Sequence, residues 1–91
     1  TERFADSENP YFMDTYAWAL INSGLPEVAE PLLKKVTKMA PSVAVFHYHR
    51  GIGHARSGKL DEAKIALLAA REQAGSDDSL QSSITNALGD L

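Results

Sequence analysis

The chain repeats itself at an offset of 34 residues: the dipeptide Ser23-Gly24 returns as Ser57-Gly58. Self-similarity at a period of about 20 to 50 residues is typical of proteins built from stacked supersecondary units. Further equivalent pairs at this offset are Ala17 and Gly51, Glu27 and Asp61, Ala29 and Ala63, Leu33 and Leu67, Ala40 and Ala74, and the helix breakers Pro41 and Gly75. Because one such unit cannot cover its own apolar face, we expect the two copies to stack on each other.

Glycine and proline divide the chain into five predicted helices. Asn9-Pro10 is typical of an N-cap followed by a proline in the first turn, and Gly24 of a left-handed helix end. Between these breakers apolar residues recur with a period near 3.6, and no segment alternates as a strand does. The predicted helices span 10–23, 26–39, 43–56, 60–73 and 78–89. Short connections make consecutive helices antiparallel neighbours, so the sequence predicts an all-α fold.

Polar residues are expected to begin the later helices. Ser42 is placed to cap the third helix through its hydroxyl group, and Asp61 and Glu62 open the fourth. The capping candidates of the fifth helix are Ser76, Asp77 and Asp78. The pair Asp77-Asp78 could instead bind a cation, but carboxylates directly before an apolar run are more typical of a helix start.

The charge balance argues against partners that need a basic surface. The chain carries a formal net charge of −3 and a sequence pI of about 5.5, and most of its basic residues are scattered. One cluster, Lys34, Lys35 and Lys38, lies late in the second predicted helix, where cations face the negative end of the helix dipole. We therefore expect no nucleic-acid partner. No segment is long and apolar enough to cross a bilayer, so membrane insertion is not expected either.

No constellation of catalytic or ligand-binding residues is recognisable in the sequence. Cysteine is absent, which excludes disulfides and thiolate zinc sites. The glycines of Gly51-Ile52-Gly53 lie inside a predicted helix and lack the lysine of a phosphate loop. No serine has the flanking glycines of a nucleophile elbow. The sequence therefore predicts a protein that is not an enzyme and that uses no cofactor or metal.

Helix–turn–helix units with this period resemble the tetratricopeptide repeat (TPR) family. The positions that carry the resemblance are Met13, Tyr16-Ala17, Leu20, Ala29, Leu33 and Pro41 in the first unit, and His47, Arg50-Gly51, His54, Ala63, Leu67 and Gly75 in the second. The resemblance implies two TPR-type antiparallel helical hairpins, 10–41 and 42–75, and a C-terminal capping helix, 78–89. Together they form one domain, 10–91. Residues 1–9 are then an N-terminal tail or the remnant of a preceding repeat.

A second resemblance concerns the first unit alone. The run from Asn9 through Leu20, together with the run from Pro31 to Lys35, is similar to the C-terminal repeats of bacterial export and exopolysaccharide-associated TPR proteins. Those proteins are long arrays. The resemblance therefore implies that this segment is the closing end of such an array.

The second unit departs from the family at His47, Arg50 and His54, where bulky apolar residues are usual. Their spacing puts them on one helix face, and we expect their stems to pack while their polar tips reach water or a carboxylate. A shared metal ion is disfavoured because His47 and His54 are two turns apart, roughly 10 Å along the axis. A further hypothesis is that one of these histidines is partly buried between the hairpins and titrates with pH. His49 points to another side of the helix and gives no obvious pair.

The family geometry also implies a concave face lined by the first helix of each hairpin. The residues expected to bind a partner there are Tyr11, Asp14, Trp18, Ile21, Asn22, Tyr48, Ile52 and Arg56, with Ala55 beside them and Ser79, Ser82 and Asn86 added by the closing helix. Trp18 and Tyr48 could instead cover the hairpin cores. Some family members clamp a peptide carboxylate with Lys and Asn side chains. The corresponding positions here hold Asp14, Trp18, Tyr48 and Ile52, so that clamp is not expected.

These expectations leave two functions open. The first is a protein–protein interaction module whose groove takes a peptide or an apolar helix of a partner. The second is a structural end-cap of a longer TPR solenoid, or a self-association module, in a bacterial export or polysaccharide assembly. An apolar edge formed by Tyr11, Phe12 and Tyr16 would favour a homo-oligomer.

Overall fold

The structure is a computed structural model that describes residues 9–91. Its helices, in chain order, are α1 (Pro10–Asn22), α2 (Pro26–Met39), α3 (Ala44–Arg56), α4 (Leu60–Ala74) and α5 (Asp78–Gly89). No strand occurs in this range, so the all-α prediction is confirmed. The expected helix ends agree with the observed ones to within one residue. The tail or repeat remnant expected at 1–9 lies, apart from Asn9, outside the described residues.

Two of the expected helix caps are present and one is absent. The side chain of Asn9 accepts a hydrogen bond from the Tyr11 amide at 2.9 Å, and that of Asp77 accepts one from the Leu80 amide at 3.1 Å. The expected cap at Ser42 is wrong, because Val43 holds the N-cap position of α3 and no side chain caps the helix there. The chain first makes a turn, in which the Val43 amide donates to the Ala40 carbonyl, and this turn delays the helix start.

The two hairpin turns have the same backbone structure. Gly24 and Gly58 both adopt left-handed conformations, with φ of 85° and 79°. In the first turn, the Ser23 amide donates to the carbonyls of Ala19 and Leu20, the Gly24 amide to that of Ile21, and the Leu25 amide to that of Leu20. In the second turn, the Ser57 amide donates to the carbonyls of Gly53 and His54, the Gly58 amide to that of Ala55, and the Lys59 amide to that of His54. Every bond of the first turn therefore recurs in the second, displaced by one sequence period.

Small residues allow the paired helices to approach closely. Ala29 and Ala63 are both fully buried at equivalent positions of α2 and α4. A Cβ atom added to Gly51 would lie 2.6 Å from Cγ of Leu67, so α3 and α4 pack backbone against side chain there. This closeness leaves no room for a larger residue at that point of the second hairpin.

The core consists of three connected groups of buried side chains. Ala17, Ile21, Ala29 and Leu33 join α1 to α2; Met13, Val36 and Phe46 join α3 to the first hairpin; and Leu67, Ala70, Ile84 and Ala87 join α5 to the second. Thus α3 and α5 each cover the apolar surface that the preceding hairpin leaves open. This is the stacking that the repeat predicts.

The central helix α3 contacts every other helix. Its contact with α1 creates the surface that we call the α1–α3 face, which comprises Tyr11, Asp14, Trp18, Asn22, Tyr48, His49 and Arg56. A separate finding concerns membranes: among the helices of residues 9–91, none combines the length and the apolarity needed to cross a bilayer.

Candidate functional site

A carboxylate–imidazole pair lies at the centre of the α1–α3 face. Nδ1 of His49 lies 2.8 Å and 2.9 Å from the two carboxylate oxygens of Asp14. Because an ionised carboxylate only accepts hydrogen bonds, Nδ1 carries the hydrogen and donates it. Both side chains are largely buried, with exposed fractions of 13% for His49 and 9% for Asp14. The pair therefore joins α1 to α3 through a short, shielded, charge-assisted bond.

Aromatic rings surround this pair. Trp18 lies one turn after Asp14 on α1, and its ring stacks on that of His49 with a centroid distance of 4.0 Å and an interplanar angle of 16°. Tyr48 leans against both rings, with centroid distances of 6.3 Å to Trp18 and 5.8 Å to His49. We call Trp18, Tyr48 and His49 the aromatic cluster. Its orientation is fixed by the Asp14 hydrogen bond on one side and by ring contacts on the other.

Exposed side chains lie at the two ends of the same face. Tyr11 is 61% exposed and meets Phe46 edge-on at a centroid distance of 5.2 Å. At the other end Nη1 of Arg56 lies 3.3 Å from the side-chain oxygen of Asn22. The face thus has a half-buried aromatic centre and polar or amphipathic ends.

One residue expected on this surface belongs to the core. Ile21 is only 1% exposed and packs with Ala17 and Leu33 between α1 and α2. Its Cδ1 atom also lies 3.1 Å from the position that a Cβ atom on Gly53 would take. The expectation that Ile21 binds a partner is therefore wrong. The missing side chain of Gly53 leaves the space that Ile21 fills.

The other expected residues differ in how far they reach solvent. Asp14 is buried, although its carboxylate helps to build the site through His49. Trp18, Tyr48 and Ile52 are half-buried and pack against the core clusters. The two alternatives for Trp18 and Tyr48 are thus not exclusive, because each ring covers the core and still retains some exposed surface. Ser82 and Asn86 line a shallow cleft on α5 alone.

Sequence reasoning missed His49, which the structure places at the centre of the site. A signal was present: two of the contacts between α1 and α3 join residues one position beyond the repeat period. Tyr11 meets Phe46, and Asp14 meets His49, in each case 35 residues apart. Reading the sequence at that offset pairs a carboxylate with a histidine.

A second group of polar residues lies on another side of α3. His54 is 6% exposed, and its Nδ1 lies 3.6 Å from a carboxylate oxygen of Glu30 on α2. Burial lowers the pKa of His54, against the opposing effect of Glu30. Lys59 donates a hydrogen bond to Glu30 at 2.8 Å, which lowers the pKa of that carboxyl group. The hypothesis of a histidine buried between the hairpins thus applies to His54.

The neighbouring side chains complete this second group. Nε2 of His47 lies 2.7 Å from the carbonyl oxygen of Pro41, so this nitrogen donates. Arg50 donates to the hydroxyl group of Thr37 at 3.0 Å. Within residues 9–91 no three His, Asp or Glu side chains come together as metal ligands would.

Comparison of the chain with family models, with curated proteins and with solved structures gave no match.

Proposed function

We propose that this chain is a TPR-type protein–protein interaction module that binds a peptide or a helix of a partner on its α1–α3 face. The observation that carries the proposal is the aromatic cluster. Trp18 and Tyr48 are half-buried, His49 is held by its bond to Asp14, and the three rings lie where two helices meet. We assign no catalytic step to this surface.

Physical chemistry favours such a cluster as a binding centre. Trp and Tyr are enriched among the few interface residues that supply most of the binding free energy. Because the rings of Trp18 and His49 are already stacked, little rotamer entropy remains to be lost when a partner covers them. Tyr11 at one end of the face, and Asn22 with Arg56 at the other, form the rim of this binding surface around the aromatic cluster.

Peptide selection followed by fluorescence tests the proposal. A random twelve-residue peptide library is selected against the immobilised chain, and the recovered peptides are titrated while the fluorescence of Trp18, the single tryptophan, is recorded. We expect saturable changes in intensity and wavelength. Tyr48→Ala should weaken binding at least about tenfold, since a central aromatic anchor is removed.

The matched control is Ile65→Ala on α4. Ile65 is 69% exposed and lies outside the α1–α3 face, so its truncation should leave peptide affinity unchanged. Circular dichroism establishes that both variants are folded. Peptides that bind equally well to Tyr48→Ala, or that bind without any change in Trp18 fluorescence, would contradict the proposal.

A second candidate is a structural end-cap or self-association module, and one observation favours it. Phe12, Tyr16 and Ala19 of α1 are the repeat equivalents of Phe46, Arg50 and Gly53 of α3. On α3 those positions pack against the first hairpin. On α1 the equivalent residues line a shallow apolar groove with Thr15, and Tyr16 is 41% exposed. This equivalence supports the groove as a docking surface for another hairpin.

The opposite end of the stack has a different character. The cleft on α5 is lined by Asp78, Gln81, Ser82, Thr85 and Asn86. A polar outer face is what a terminal, capping helix needs for solubility. In the end-cap account the stack therefore grows only on the α1 side, as part of a longer solenoid or a twin-chain assembly, and a bacterial export or polysaccharide complex is one such setting.

Sedimentation equilibrium distinguishes the two candidates. The end-cap account predicts a concentration-dependent dimer that Tyr16→Lys dissociates and Ile65→Lys, the matched exposed control on α4, does not. A monomer at all concentrations, with peptides bound at Trp18, supports the interaction module instead. A dimer unaffected by Tyr16→Lys would contradict docking through the α1 groove.

A further inference from the structure

One ring nitrogen at the centre of the α1–α3 face has no hydrogen-bond partner among the residues that the structure describes. Nδ1 of His49 donates to Asp14, and Nε2 of the same ring makes no hydrogen bond within residues 9–91. The buried side-chain nitrogen and oxygen atoms left without a partner in that range are Nε of Arg50 and Oγ of Ser57. Nε2 of His49 is not among these buried atoms, so this nitrogen is accessible to solvent.

The chemical character of this nitrogen follows from its neighbour. Nδ1 bonds the Asp14 carboxylate, so in the tautomer that this bond selects, the lone pair of the ring lies on Nε2 and points outward. The nitrogen is therefore a hydrogen-bond acceptor held in place by the stacked Trp18 ring. An acceptor fixed in this way is complementary to a donor group.

The surrounding charges select a cationic donor. The carboxylate of Asp14 lies behind the imidazole and is 9% exposed, so water screens it weakly. The faces of Trp18 and Tyr48 carry the negative part of the aromatic quadrupole, which attracts cations. Arg56 is seven residues from His49 along α3, about two turns or roughly 10 Å away, and its guanidinium donates to Asn22.

We propose that Nε2 of His49 is the polar recognition point of the α1–α3 face and that it accepts a hydrogen bond from a Lys or Arg side chain of the partner segment. The inference rests on the proposed interaction function and names the chemistry of its partner. An acidic side chain would instead meet a lone pair with a carboxylate behind it. A purely apolar side chain would leave Nε2 covered without a hydrogen bond, which is costly.

Single blocked amino acids test this inference without a known partner. N-acetyl-arginine and N-acetyl-lysine methylamides are titrated at millimolar concentration into the folded chain, and the indole N–H of Trp18 and the ring signals of His49 are followed by NMR. We expect saturable shifts with both cations. The methylamides of N-acetyl-norleucine and N-acetyl-glutamate should give shifts that do not saturate.

The variant His49→Asn removes the acceptor while keeping a donor for the buried carboxylate, because the amide of Asn mimics Nδ1 of histidine. We expect it to weaken binding of the arginine probe about fivefold or more. The control is His47→Asn, which changes another histidine of α3. His47 lies in the second group of polar residues, on another side of the helix, so this variant should bind the probe as the parent does. Should His49→Asn fold poorly, His49→Phe combined with Asp14→Leu retains the ring stacking, leaves no buried carboxylate unpaired and also removes the acceptor.

The outcomes separate this inference from the interaction function beneath it. Saturable cation binding that is lost in the His49 variants supports the inference. Equal binding of norleucine and arginine probes, or unchanged binding in the variants, overturns it. Library peptides that bind at Trp18 but show no excess of Lys or Arg would also overturn it while leaving the interaction function standing. Failure of every library peptide to bind would instead reject that function.

Discussion

Single residues fix the spacing of the helices in this molecule. Gly51 and Ala17 are equivalent in the repeat, yet only the second hairpin requires a glycine. A Cβ atom at position 51 would lie 2.6 Å and 2.7 Å from two side-chain carbons of Leu67, which is fully buried. Such contacts require the Leu67 side chain or the two helices to shift. The sequence shows that both equivalent positions, 17 and 51, hold small residues. It does not show at which of the two a Cβ atom has no room.

Gly51→Ala is therefore expected to destabilise the fold. The strain of overpacking is typically about 1 to 3 kcal/mol, and the better helix propensity of alanine offsets up to about 1 kcal/mol. We expect the free energy of unfolding to fall by about 1 to 2 kcal/mol, measured by urea denaturation. The control is Gly89→Ala, where nothing lies within 4 Å of the added Cβ, and stability should be unchanged or slightly raised. Equal stability of the two variants would contradict the packing described.

The buried imidazole of His54 makes stability depend on pH. Its pKa is lowered in the folded state, mainly by burial, so the unfolded chain takes up a proton at higher pH than the folded one. The groups facing it are Glu30 of α2, Arg50 of α3, Lys59 in the turn, and Glu62 of α4. The contribution of His54 to stability is present above about pH 6.5, the ordinary histidine range, and is lost as the pH falls toward the lowered pKa.

Denaturation at a series of pH values tests this linkage. His54→Leu introduces the residue found one period earlier, at Leu20, and removes the titrating group. We expect the parent chain to lose stability relative to this variant over the interval from about pH 6.5 downward. Parallel stability curves for the two proteins over that interval would show that His54 does not titrate as its burial requires.

At the scale of the helices, the two copies of the repeat are more alike in their turns than in the side chains on their helix faces. Gly24 and Gly58 share a left-handed backbone and one set of hydrogen bonds, whereas Leu20 and His54 differ in chemistry. Periodicity and breakers were enough to predict the helix bounds, because they are local signals. The cap expected at Ser42 is wrong, because the turn that precedes α3 outweighs the capping tendency of Ser42.

Gly24→Ala and Gly58→Ala are expected to have equal effects. No heavy atom lies within 4 Å of a Cβ added at either site, so the cost is that of the left-handed backbone alone. This cost is roughly 1 to 2 kcal/mol for an L-residue. Thermal and urea denaturation should give the two variants the same loss of stability to within about 0.5 kcal/mol. A large difference between them would show that the turns are not equivalent.

The site was only partly predictable at this scale. The aromatic residues Trp18 and Tyr48 stood out by type, and the family geometry placed them on one surface. The family geometry places Ile21 on that surface too, but Ile21 also belongs to the apolar stripe of α1, and the structure buries it. His49 was missed because its partner lies on a different helix. Pairing between helices depends on the stacking offset, which the repeat alone does not define.

At the scale of the whole molecule, α5 packs on the second hairpin. Ile84 is fully buried and packs with Leu67 and Ala70 of the second hairpin. Ile84→Ala is expected to reduce the free energy of unfolding by about 2 to 5 kcal/mol, a large part of the total for so short a chain. The control is Thr85→Ala at the adjacent exposed position, which should change stability by less than about 0.5 kcal/mol. Equal effects of the two changes would mean that α5 is not packed on the second hairpin.

The arrangement of the whole molecule also separates the two proposed modes of action. The α1–α3 face, the apolar groove of α1 and the polar cleft of α5 are different surfaces. A partner bound to one of them should therefore leave the chemical shifts of the other two unchanged. Chemical-shift mapping with one peptide can therefore report which surface is used.

The most direct measurement is the map of backbone amide shifts on adding a peptide selected for binding. The account predicts that the largest changes fall on α1 and α3 around Asp14, Trp18, Tyr48 and His49, and that α2 and α4 change little. Shifts concentrated on Thr15, Tyr16 and Ala19, or on the outer surfaces of α2 and α4, would contradict it.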